Sequence, residues 1–343
     1  MTRAPVPTPQ TPADRPLRLV IALGGNALLR RGQKPDADVQ ERNVADAVAA
    51  LAPVLERHEV VLTHGNGPQV GVLALQSASD PRLTTPYPFD VIGAQTQGMI
   101  GYWLLQALQN AVPDRQVAAI INQTLVDKDD PKLAHPTKFV GEVYDRETAA
   151  QLAAERGWTV RQDGDCWRRV IGSPDPLQVI EADLIHHLLD SGVLTVCAGG
   201  GGVPVVRNAS GRLDGIEAVI DKDGTAALLA MAIGADGLLI LTDVDAVYTG
   251  FGTPDAAPIR AITAAQLRAI DFPAGSMGPK VDAACRFVEH TGGFAVIGSL
   301  ADAAAMLSGD AGTCVMAGKA DRTTRALRCP AAAWAAPRKE QRT

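Results

Sequence analysis

Short apolar runs alternate with stretches of helical periodicity along the chain from Leu17 onward. This alternation is typical of an α/β domain whose mainly parallel sheet is covered by helices on both faces. The runs that we predict as strands are residues 17–23, 59–63, 117–123, 193–197, 237–242, 294–297 and 313–316. We therefore expect a largely parallel sheet at the centre of the fold.

Apolar residues at helical spacing predict the helices that connect these strands. Val44, Val48, Leu51 and Leu55 form one such set. The other segments that we predict as helical are 91–111, 147–156, 180–189, 225–233 and 277–290. Strands and helices thus follow each other as a doubly covered sheet requires.

Several residues predict where the helices begin and end. Asp38 and Glu41 have the spacing of a capping box, and Asp223 is predicted to cap the helix at 225–233. Pro68 lies where a first helical residue would be. Pro53 should kink or shorten the helix that contains it, since an interior proline removes a hydrogen bond.

Residues 125–176 contain no clear long helix and are rich in Asp, Lys, Pro and Gly. Segments of this kind in a compact domain are commonly lids or protruding binding elements, so we predict a lid here. Residues 1–16, which are rich in proline, and residues 318–343 are predicted to be disordered tails. Between the tails, we predict an N-terminal lobe at 17–206, lid included, and a C-terminal lobe at 207–317.

Composition and charge narrow the function. The 343 residues are 46% hydrophobic and 20% charged, as in an ordinary folded protein. A formal net charge of -6 disfavours nucleic acid and anionic membranes as partners. Apolar stretches stay well short of the roughly 20 residues of a bilayer span. The five cysteines lack C-x-x-C spacing, which fits reduced thiols, so we expect a cytoplasmic protein.

Three glycine-rich turns follow predicted strands, at Gly24, Gly65 and Gly199. At the carboxyl edge of an open α/β sheet, such turns present main-chain N–H groups to anions. A single glycine turn can end a strand for conformational reasons alone, but three such turns together indicate an anion site. The sequence lacks G-x-x-x-x-G-K-[ST] and a G-x-G-x-x-G turn, which disfavours a P-loop kinase or a Rossmann dehydrogenase.

Two lysines lie at predicted helix starts: Lys222 just before Asp223, and Lys280 in the first turn after Ser276. A cation at the positive end of a helix is unfavourable by about 0.3–1 kcal/mol, and a bound phosphate would compensate. Exposure to water or pairing with Asp221 or Asp223 is the alternative. The six histidines offer no convincing metal pair, and no Ser-His-Asp set is evident. We therefore name no metal-ligating residue and no covalent catalyst.

Three long motifs occur in order along the chain: ALGGNA at 22–27, THGNGPQVG at 63–71 and GSMGPK at 275–280. With the shorter segments that follow, they closely resemble the carbamate kinases of the amino acid kinase superfamily. The shorter matching segments are 96–98, 101–103, 136–138, 167–169, 199–204, 219–223 and 241–242. The resemblance covers about residues 17–316.

The resemblance implies a three-layer α/β/α sandwich with the amino acid kinase fold, an acceptor site in the N-terminal lobe and a nucleotide site in the C-terminal lobe. It implies reversible phosphoryl transfer between ATP and carbamate, so ATP or ADP and Mg²⁺ are the expected ligands. Members commonly form ATP from carbamoyl phosphate during arginine breakdown by the deiminase route. They are typically homodimers, and we expect a homodimer here.

The resemblance also implies roles for individual residues. Around the carbamate and the transferring phosphoryl group we expect Gly24, Gly25, Asn26, Thr63, Gly65, Asn66 and Gly67. Lys138 is expected on the lid, Lys222 and Lys280 at the phosphates, and Asp223 between those two lysines, as the catalytic set. Around the nucleotide we expect Lys222, Thr242, Asp243, Tyr248, Met277 and Lys280.

Other functions stay open at this point. Ala22 stands where other amino acid kinases often carry a lysine, and Lys138 is a candidate for the missing charge. Ala22 and the long lid disfavour an acetylglutamate or glutamate kinase. A protein that only binds nucleotide is disfavoured because the lysines are retained. The lid departs from the family pattern at residues 163–166 and at Gly172, where proline is common.

Overall fold

The computed structural model describes residues 15–30, 32–272 and 277–318, with the side chain of Glu142 left out. Almost all of the two predicted tails lies outside the described residues. Gly275 and Ser276, from the third long motif, also lie outside them.

Strands and helices alternate along most of the described chain. The strands are β1 Arg18–Leu23, β2 Glu59–His64, β3 Val117–Ala119, β4 Gln123–Val126, β5 Lys138–Tyr144, β6 Thr159–Asp163, β7 Cys166–Ile171, β8 Pro176–Val179, β9 Leu194–Val196, β10 Val203–Arg207, β11 Leu213–Gly215, β12 Gly237–Thr242, β13 Val247–Thr249, β14 Ala257–Ile259, β15 Ala261–Thr263, β16 Phe294–Ser299 and β17 Thr313–Met316. The helices are α1 Ala37–Leu55, α2 Gly67–Ser79, α3 Phe89–Ala111, α4 Pro131–Ala134, α5 Arg146–Arg156, α6 Ala182–Asp190, α7 Lys222–Ala232, α8 Ala264–Arg268, α9 Met277–Thr291 and α10 Ala303–Ser308.

An eight-stranded sheet forms the centre of the fold, in the order β15-β17-β16-β12-β1-β2-β9-β3. The neighbours from β16 to β3 are parallel, whereas β17 runs antiparallel to β16. This confirms the predicted, largely parallel sheet. Parallel strands place their carboxyl ends at one edge, where open α/β sheets bind ligands.

Helices cover both faces of this sheet, which gives three layers. Leu19 and Ile21 of β1 are fully buried in one apolar cluster, with residues of α1, α3 and α10. Val20 and Ala22 are fully buried in a second cluster, with residues of α6, α7, α8 and α9. Because successive side chains of a strand point to opposite faces, β1 contributes to both cores. The α/β/α sandwich is therefore confirmed.

The start and end of α1 differ from the prediction. The residue at its N-cap is Asp36, so the predicted capping box of Asp38 and Glu41 does not form. Asp38 lies in the first turn instead, where its negative charge favours the helix dipole. Pro53 does not cut the helix short at its own position, since α1 runs on to Leu55. The helix ends two residues after the proline, and the proline nitrogen cannot donate the hydrogen bond that its position would otherwise make to the preceding turn.

The predicted strand at 117–123 is two strands in two sheets. β3 pairs with β9 in the central sheet, whereas β4 pairs with β10 and β8 in a four-stranded sheet. Residues 120–122 make the passage between the two sheets. An unbroken apolar run does not reveal such a break, because the break depends on the partner strands.

Residues 138–171, the middle part of the lid predicted at 125–176 and the segment to which the name lid refers from here on, are more regular than the sequence indicated. They form a three-stranded antiparallel sheet in the order β5-β7-β6, with α5 packed against β6 and β7. The short helix predicted at 147–156 is confirmed as α5. The sequence shows no single clear hydrophobic period here, because short strands are combined with a weakly amphipathic helix.

The lid is seated on the body through aromatic and charged contacts. The guanidinium of Arg169 lies 4.7 Å from the Phe89 ring of α3 and 4.8 Å from the Trp158 ring of the lid. It also pairs with Glu217 at 3.3 Å, and the same carboxylate accepts the Phe89 backbone N–H at 2.8 Å. Cation–π contacts of this kind favour one position of the lid sheet.

None of the described helices is long and apolar enough to cross a membrane.

Candidate active site

The carboxyl ends of five parallel strands meet at one edge of the central sheet. Gly24 follows β1, Gly65 follows β2 and the run that begins at Gly199 follows shortly after β9. Thr242 ends β12, and Ser299 ends β16. The three glycine turns that the sequence singled out therefore lie side by side.

Two cavities open at this edge. The first has a volume of about 620 Å³, and Gly24, Asn26, Thr242 and Asp243 are among the residues that line it. Its size lies within the range of small-molecule and cofactor sites. The second has about 270 Å³ and lies between the β2 turn, the lid and α7. Among the residues that line this second cavity are Gly65, Asn66, Gly67, Lys138, Asp221 and Asp223.

Four residues line both cavities: Gly25, Pro68, Lys222 and Lys280. The two cavities therefore meet at two ammonium groups and a glycine turn. A group that passes from a ligand in one cavity to a ligand in the other would pass these positive charges. The arrangement suits the transfer of an anionic group.

The two lysines share one carboxylate. Nζ of Lys222 lies 2.6 Å from Oδ1 of Asp223, and Nζ of Lys280 lies 2.9 Å from Oδ2. Pairing with aspartate, the alternative that the sequence left open, is thus what the structure shows. Because one carboxylate serves two ammonium groups, one positive charge remains for a ligand. The pairing and a phosphate site are compatible.

Burial sets the protonation of this cluster. Asp223 is only 3% exposed. Burial by itself would raise the pKa of Asp223, but the ammonium groups of Lys222 and Lys280 outweigh it and hold that pKa below its usual range. Burial lowers the pKa of Lys222, and Asp223 opposes that shift. The carboxylate therefore stays ionised and keeps the two cations together.

The N-cap of α7 is Asp221. The sequence analysis predicted Asp223 for this position, and that prediction is wrong. Oδ1 of Asp221 accepts the backbone N–H groups of Asp223 at 3.0 Å and of Gly224 at 3.3 Å. The helix begins at Lys222, which places Asp223 in its first turn. Asp is a favoured N-cap at either position, so the local sequence does not choose between them.

The lid contributes one lysine to the second cavity. Lys138 is the first residue of β5, and its Nζ donates to Oδ2 of Asp221 at 2.7 Å. Both side chains line the second cavity. The lid therefore brings a third ammonium group to the cavity that Gly65 and Asn66 also line.

Glycine is required where the turns approach each other. A Cβ atom on Gly65 would lie 3.2 Å from the Gly25 nitrogen, closer than nine in ten real Cβ contacts, so the Gly25 turn would have to shift. Gly200 has a φ of +63°, and a Cβ there would overlap the Asn66 side chain. Asn66 is held by donating to the hydroxyl of Thr96 at 2.9 Å. The turns thus bring main chain close to the second cavity.

Most of the predicted site residues line the two cavities, and three do not. Thr63 is fully buried in β2. Tyr248 donates to Asp245 at 2.7 Å in the β13 region. Met277, at the start of α9, packs against an apolar core. The residues of the three predicted sets that line a cavity are Gly24, Gly25, Asn26, Gly65, Asn66, Gly67, Lys138, Lys222, Asp223, Thr242, Asp243 and Lys280.

Sequence reasoning missed Arg30 and Ser299, which line the first cavity. Arg30 pairs with Asp46 of α1 at 2.8 Å. Ser299 could have been found, because it lies two residues after the strand predicted at 294–297, and the observed β16 ends at Ser299 at the same edge as Thr242. Arg30 could not, because it lies in irregular chain beyond the first glycine turn.

The first cavity offers one carboxylate, Asp243, whose Oδ2 accepts a hydrogen bond from Asn26 at 3.1 Å. Within residues 15–30, 32–272 and 277–318, no group of three metal-ligating side chains occurs. Mg²⁺ commonly binds through phosphate oxygens and water with only one or two carboxylates. The residues at this cavity fit a magnesium ion that arrives with a nucleotide.

Comparisons with known proteins show which family this chain resembles. The model of the amino acid kinase family matches residues 17–299. The carbamate kinase of Rhizobium meliloti is 50% identical over 311 residues, which cover 90% of this chain and 95% of that protein. The carbamate kinase of Pyrococcus furiosus is 47% identical over 311 residues, covering 87% and 99%. The carbamate kinase of Giardia lamblia bound to AMP-PNP superposes with a TM-score of 0.82 at 39% identity, covering 88% and 99%.

Proposed function

The chain belongs to the amino acid kinase family and, within it, to the carbamate kinases, and we propose that it transfers a phosphoryl group reversibly between ATP and carbamate. The products of the forward reaction are ADP and carbamoyl phosphate. The observation that carries the proposal is the junction of two cavities at Lys222 and Lys280, with Asp223 buried between the two lysines.

The nucleotide would occupy the first cavity and the carbamate the second, with the γ-phosphoryl group at the junction. A carbamate oxygen attacks the γ-phosphorus, and the bond to the β,γ-bridging oxygen breaks as ADP leaves. No proton has to move, because the attacking oxygen is already anionic. Such transfer needs positioning and charge stabilisation more than a general base. Lys222 and Lys280 supply the stabilising charge, and the Gly25 and Gly65 turns supply main chain beside it.

Magnesium, bound with the nucleotide, would neutralise charge on the phosphate oxygens. Asp243 is the carboxylate of the first cavity that would hold it, with Asn26 orienting that carboxylate. Tyr248 and Met277 line neither cavity, so their predicted contact with the nucleotide requires a nucleotide that extends beyond the first cavity. The acceptor lobe at 17–206 and the nucleotide lobe at 207–317 are part of the same proposal.

We propose that the reaction runs physiologically in the direction of ATP formation, in arginine catabolism by the deiminase route. The chemical support is that carbamoyl phosphate is an acyl phosphate, a stronger phosphoryl donor than ATP. The cytoplasm, where ADP and reduced thiols occur, is the proposed compartment, and Cys197 and Cys285 are buried thiols. Growth on arginine as energy source, with and without the gene, tests this part.

A homodimer is proposed through α3 and the neighbouring edge strand β3. Asp90 is the one charged residue in the 23 residues of α3. Exposed Val91, Tyr102 and Ile121 lie on or beside this helix and strand. Large apolar side chains without charges are typical of interface cores. Light scattering of wild-type protein and a Tyr102→Lys variant tests it: a monomeric wild type contradicts the proposal.

The decisive test of the function is ATP formation from Mg-ADP and carbamoyl phosphate by the purified chain, coupled to hexokinase and glucose-6-phosphate dehydrogenase. We expect ATP formation that depends on both substrates and on Mg²⁺. N-acetylglutamate and glutamate, each with Mg-ATP, serve as alternative acceptors. Phosphorylation of either amino-acid carboxylate, without ATP formation from carbamoyl phosphate, would overturn the carbamate assignment.

A further inference from the structure

Asp221 forms hydrogen bonds in two directions, toward two different parts of the site. Oδ1 accepts the backbone N–H groups of Asp223 and Gly224 in the first turn of α7, at 3.0 and 3.3 Å. Oδ2 accepts from Nζ of Lys138, on the lid, at 2.7 Å. One carboxylate thus joins the lid to the helix that begins with Lys222.

A main-chain contact joins the same two parts. The N–H group of Val219, two residues before Asp221, donates to the carbonyl of Gly172 at 3.1 Å. Gly172 follows Ile171, the residue that pairs with Lys138 in the lid sheet. The chain that enters α7 and the strand that carries Lys138 are therefore held at a fixed separation.

The backbone of the lid strand is itself fixed on the body. β5 packs against α2, where Gly71 and Gly141 are in close contact. Arg169 of β7 adds its contacts with Phe89 and Glu217. The flexible part is the side chain of Lys138, which is 43% exposed. A long exposed lysine adopts many rotamers unless a partner selects one, and the partner here is Asp221.

We propose that Asp221 is a positioning residue for the phosphoryl transfer described above, and this inference rests on that proposed function. Asp221 holds the Lys138 ammonium in the second cavity. Through its cap of α7, it fixes that ammonium relative to Lys222 and Lys280. A substrate phosphate then meets three ammonium groups whose spacing is set before it binds, which is the condition for efficient electrostatic stabilisation.

The variant Asp221→Asn separates this role from helix capping. Asparagine caps a helix about as well as aspartate, but its neutral amide does not hold an ammonium group as a carboxylate does. We expect kcat for ATP formation to fall about tenfold or more. The KM for Mg-ADP and the thermal midpoint should stay near their wild-type values. Asp221→Ser, which also caps without charge, should behave in the same way.

A double-mutant cycle with Lys138→Met shows whether Asp221 acts through Lys138. Without the ammonium there is nothing to position, so Asp221→Asn should have no further effect on kcat in the Lys138→Met background. Effects that multiply independently would overturn the proposal. Wild-type kcat in Asp221→Asn would overturn it as well.

Asp175→Asn is the matched control. Asp175 pairs with Lys132 at 2.6 Å close to the lid, and the two side chains are 59% and 51% exposed. The pair lines neither cavity, so this variant should keep wild-type kcat; an equal loss in both variants would show that Asp221 has no special role. Wild-type protein is assayed first. If it forms no ATP from carbamoyl phosphate, the proposed function fails; if it does and the cycle is additive, only the role of Asp221 fails.

Discussion

Gly71 of α2 and Gly141 of β5 approach so closely that a Cβ atom on Gly71 would lie 2.9 Å from the Cα atom of Gly141. Real Cβ atoms essentially never make such a contact with backbone. Gly141 has a φ of +72°, and the pairing of β5 with β7 shifts register next to it. The seat of the lid on the body thus depends on the absence of a side chain at Gly71.

Gly71→Ala should therefore push the lid strand away from α2 while helping α2 itself, since alanine favours helix over glycine. We expect kcat to fall at least about tenfold, because Lys138 moves with the strand. Circular dichroism should show that the fold is retained. Gly93→Ala is the control, since Gly93 lies in α3 with open space where its Cβ would be. Wild-type kcat in Gly71→Ala would show that the lid tolerates displacement.

Lys222→Ala and Lys280→Ala should each lower kcat by about 10²- to 10³-fold, the usual effect of removing one group that stabilises the transition state. The loss of thermal stability should be modest, because Asp223 keeps the other lysine as a partner. Lys132→Ala removes an exposed lysine outside both cavities and should leave kcat unchanged. Normal turnover in a Lys222 or Lys280 variant would exclude that lysine from the phosphate site.

Asp223→Asn should lower the stability of the protein strongly, unlike the two lysine variants. Loss of the carboxylate leaves two ammonium groups together in a buried place, so the free energy of unfolding should fall by about 3–5 kcal/mol. A phosphate ligand then becomes their main counter-charge, and Mg-ADP should raise the thermal midpoint more in the variant than in the wild type. Asp282→Asn, in an exposed ion pair with Arg268, is the control and should change little. Equal ligand shifts in variant and wild type would contradict the charge argument.

Two histidines predict how stability depends on pH. Burial lowers the pKa of His64, in β2, to about 4 from 6.5. Burial also lowers the pKa of His58 to about 4, and its Nδ1 accepts the Leu17 backbone N–H at 3.1 Å. Between pH 6.5 and about 4, the unfolded chain therefore binds more protons than the folded chain, because these histidines are protonated only when the chain is unfolded. The free energy of unfolding should therefore fall as pH is lowered from about 6.5 to 4, by about 1.4 kcal/mol per unit for the fully buried His64.

Urea denaturation at pH 7, 6 and 5 measures this slope. His58→Gln should make the slope shallower, because one of the two histidines no longer takes up a proton on unfolding. A slope that is unaffected by His58→Gln would mean that the protonation of His58 is not linked to folding.

The central sheet could be predicted because its strands are buried on both faces and so read as continuous apolar runs. β1, β2 and β12 follow this rule almost to the residue. The passage between β3 and β4 could not be predicted, because an apolar run hides it. It is fixed by distant partners: the Ile120 N–H donates to Val196, and Asn122 bonds with Gln97 and Ala198.

Most of the site residues that the sequence predicted do line the two cavities, but the hydrogen bonds that join their side chains could not be predicted. Glycine turns after strands and lysines at helix starts are local signals. The bond between Lys280 and Asp223 joins residues 57 positions apart, and that between Lys138 and Asp221 joins residues 83 apart. Nothing local distinguishes Asp221 from Asp223 as a cap. The roles of these two carboxylates therefore emerge only when lid, α7 and α9 are seen together.

The shared wall of the two cavities has a practical consequence for inhibitor chemistry. Gly25, Pro68, Lys222 and Lys280 line both compartments, so a ligand that spans them would contact these same four residues at the junction. A bisubstrate compound, in which a nucleoside polyphosphate continues into a non-hydrolysable carbamoyl phosphonate, would place its linked phosphate groups at that junction. Tethering makes the second binding event intramolecular, so such a compound should bind far more tightly than either fragment.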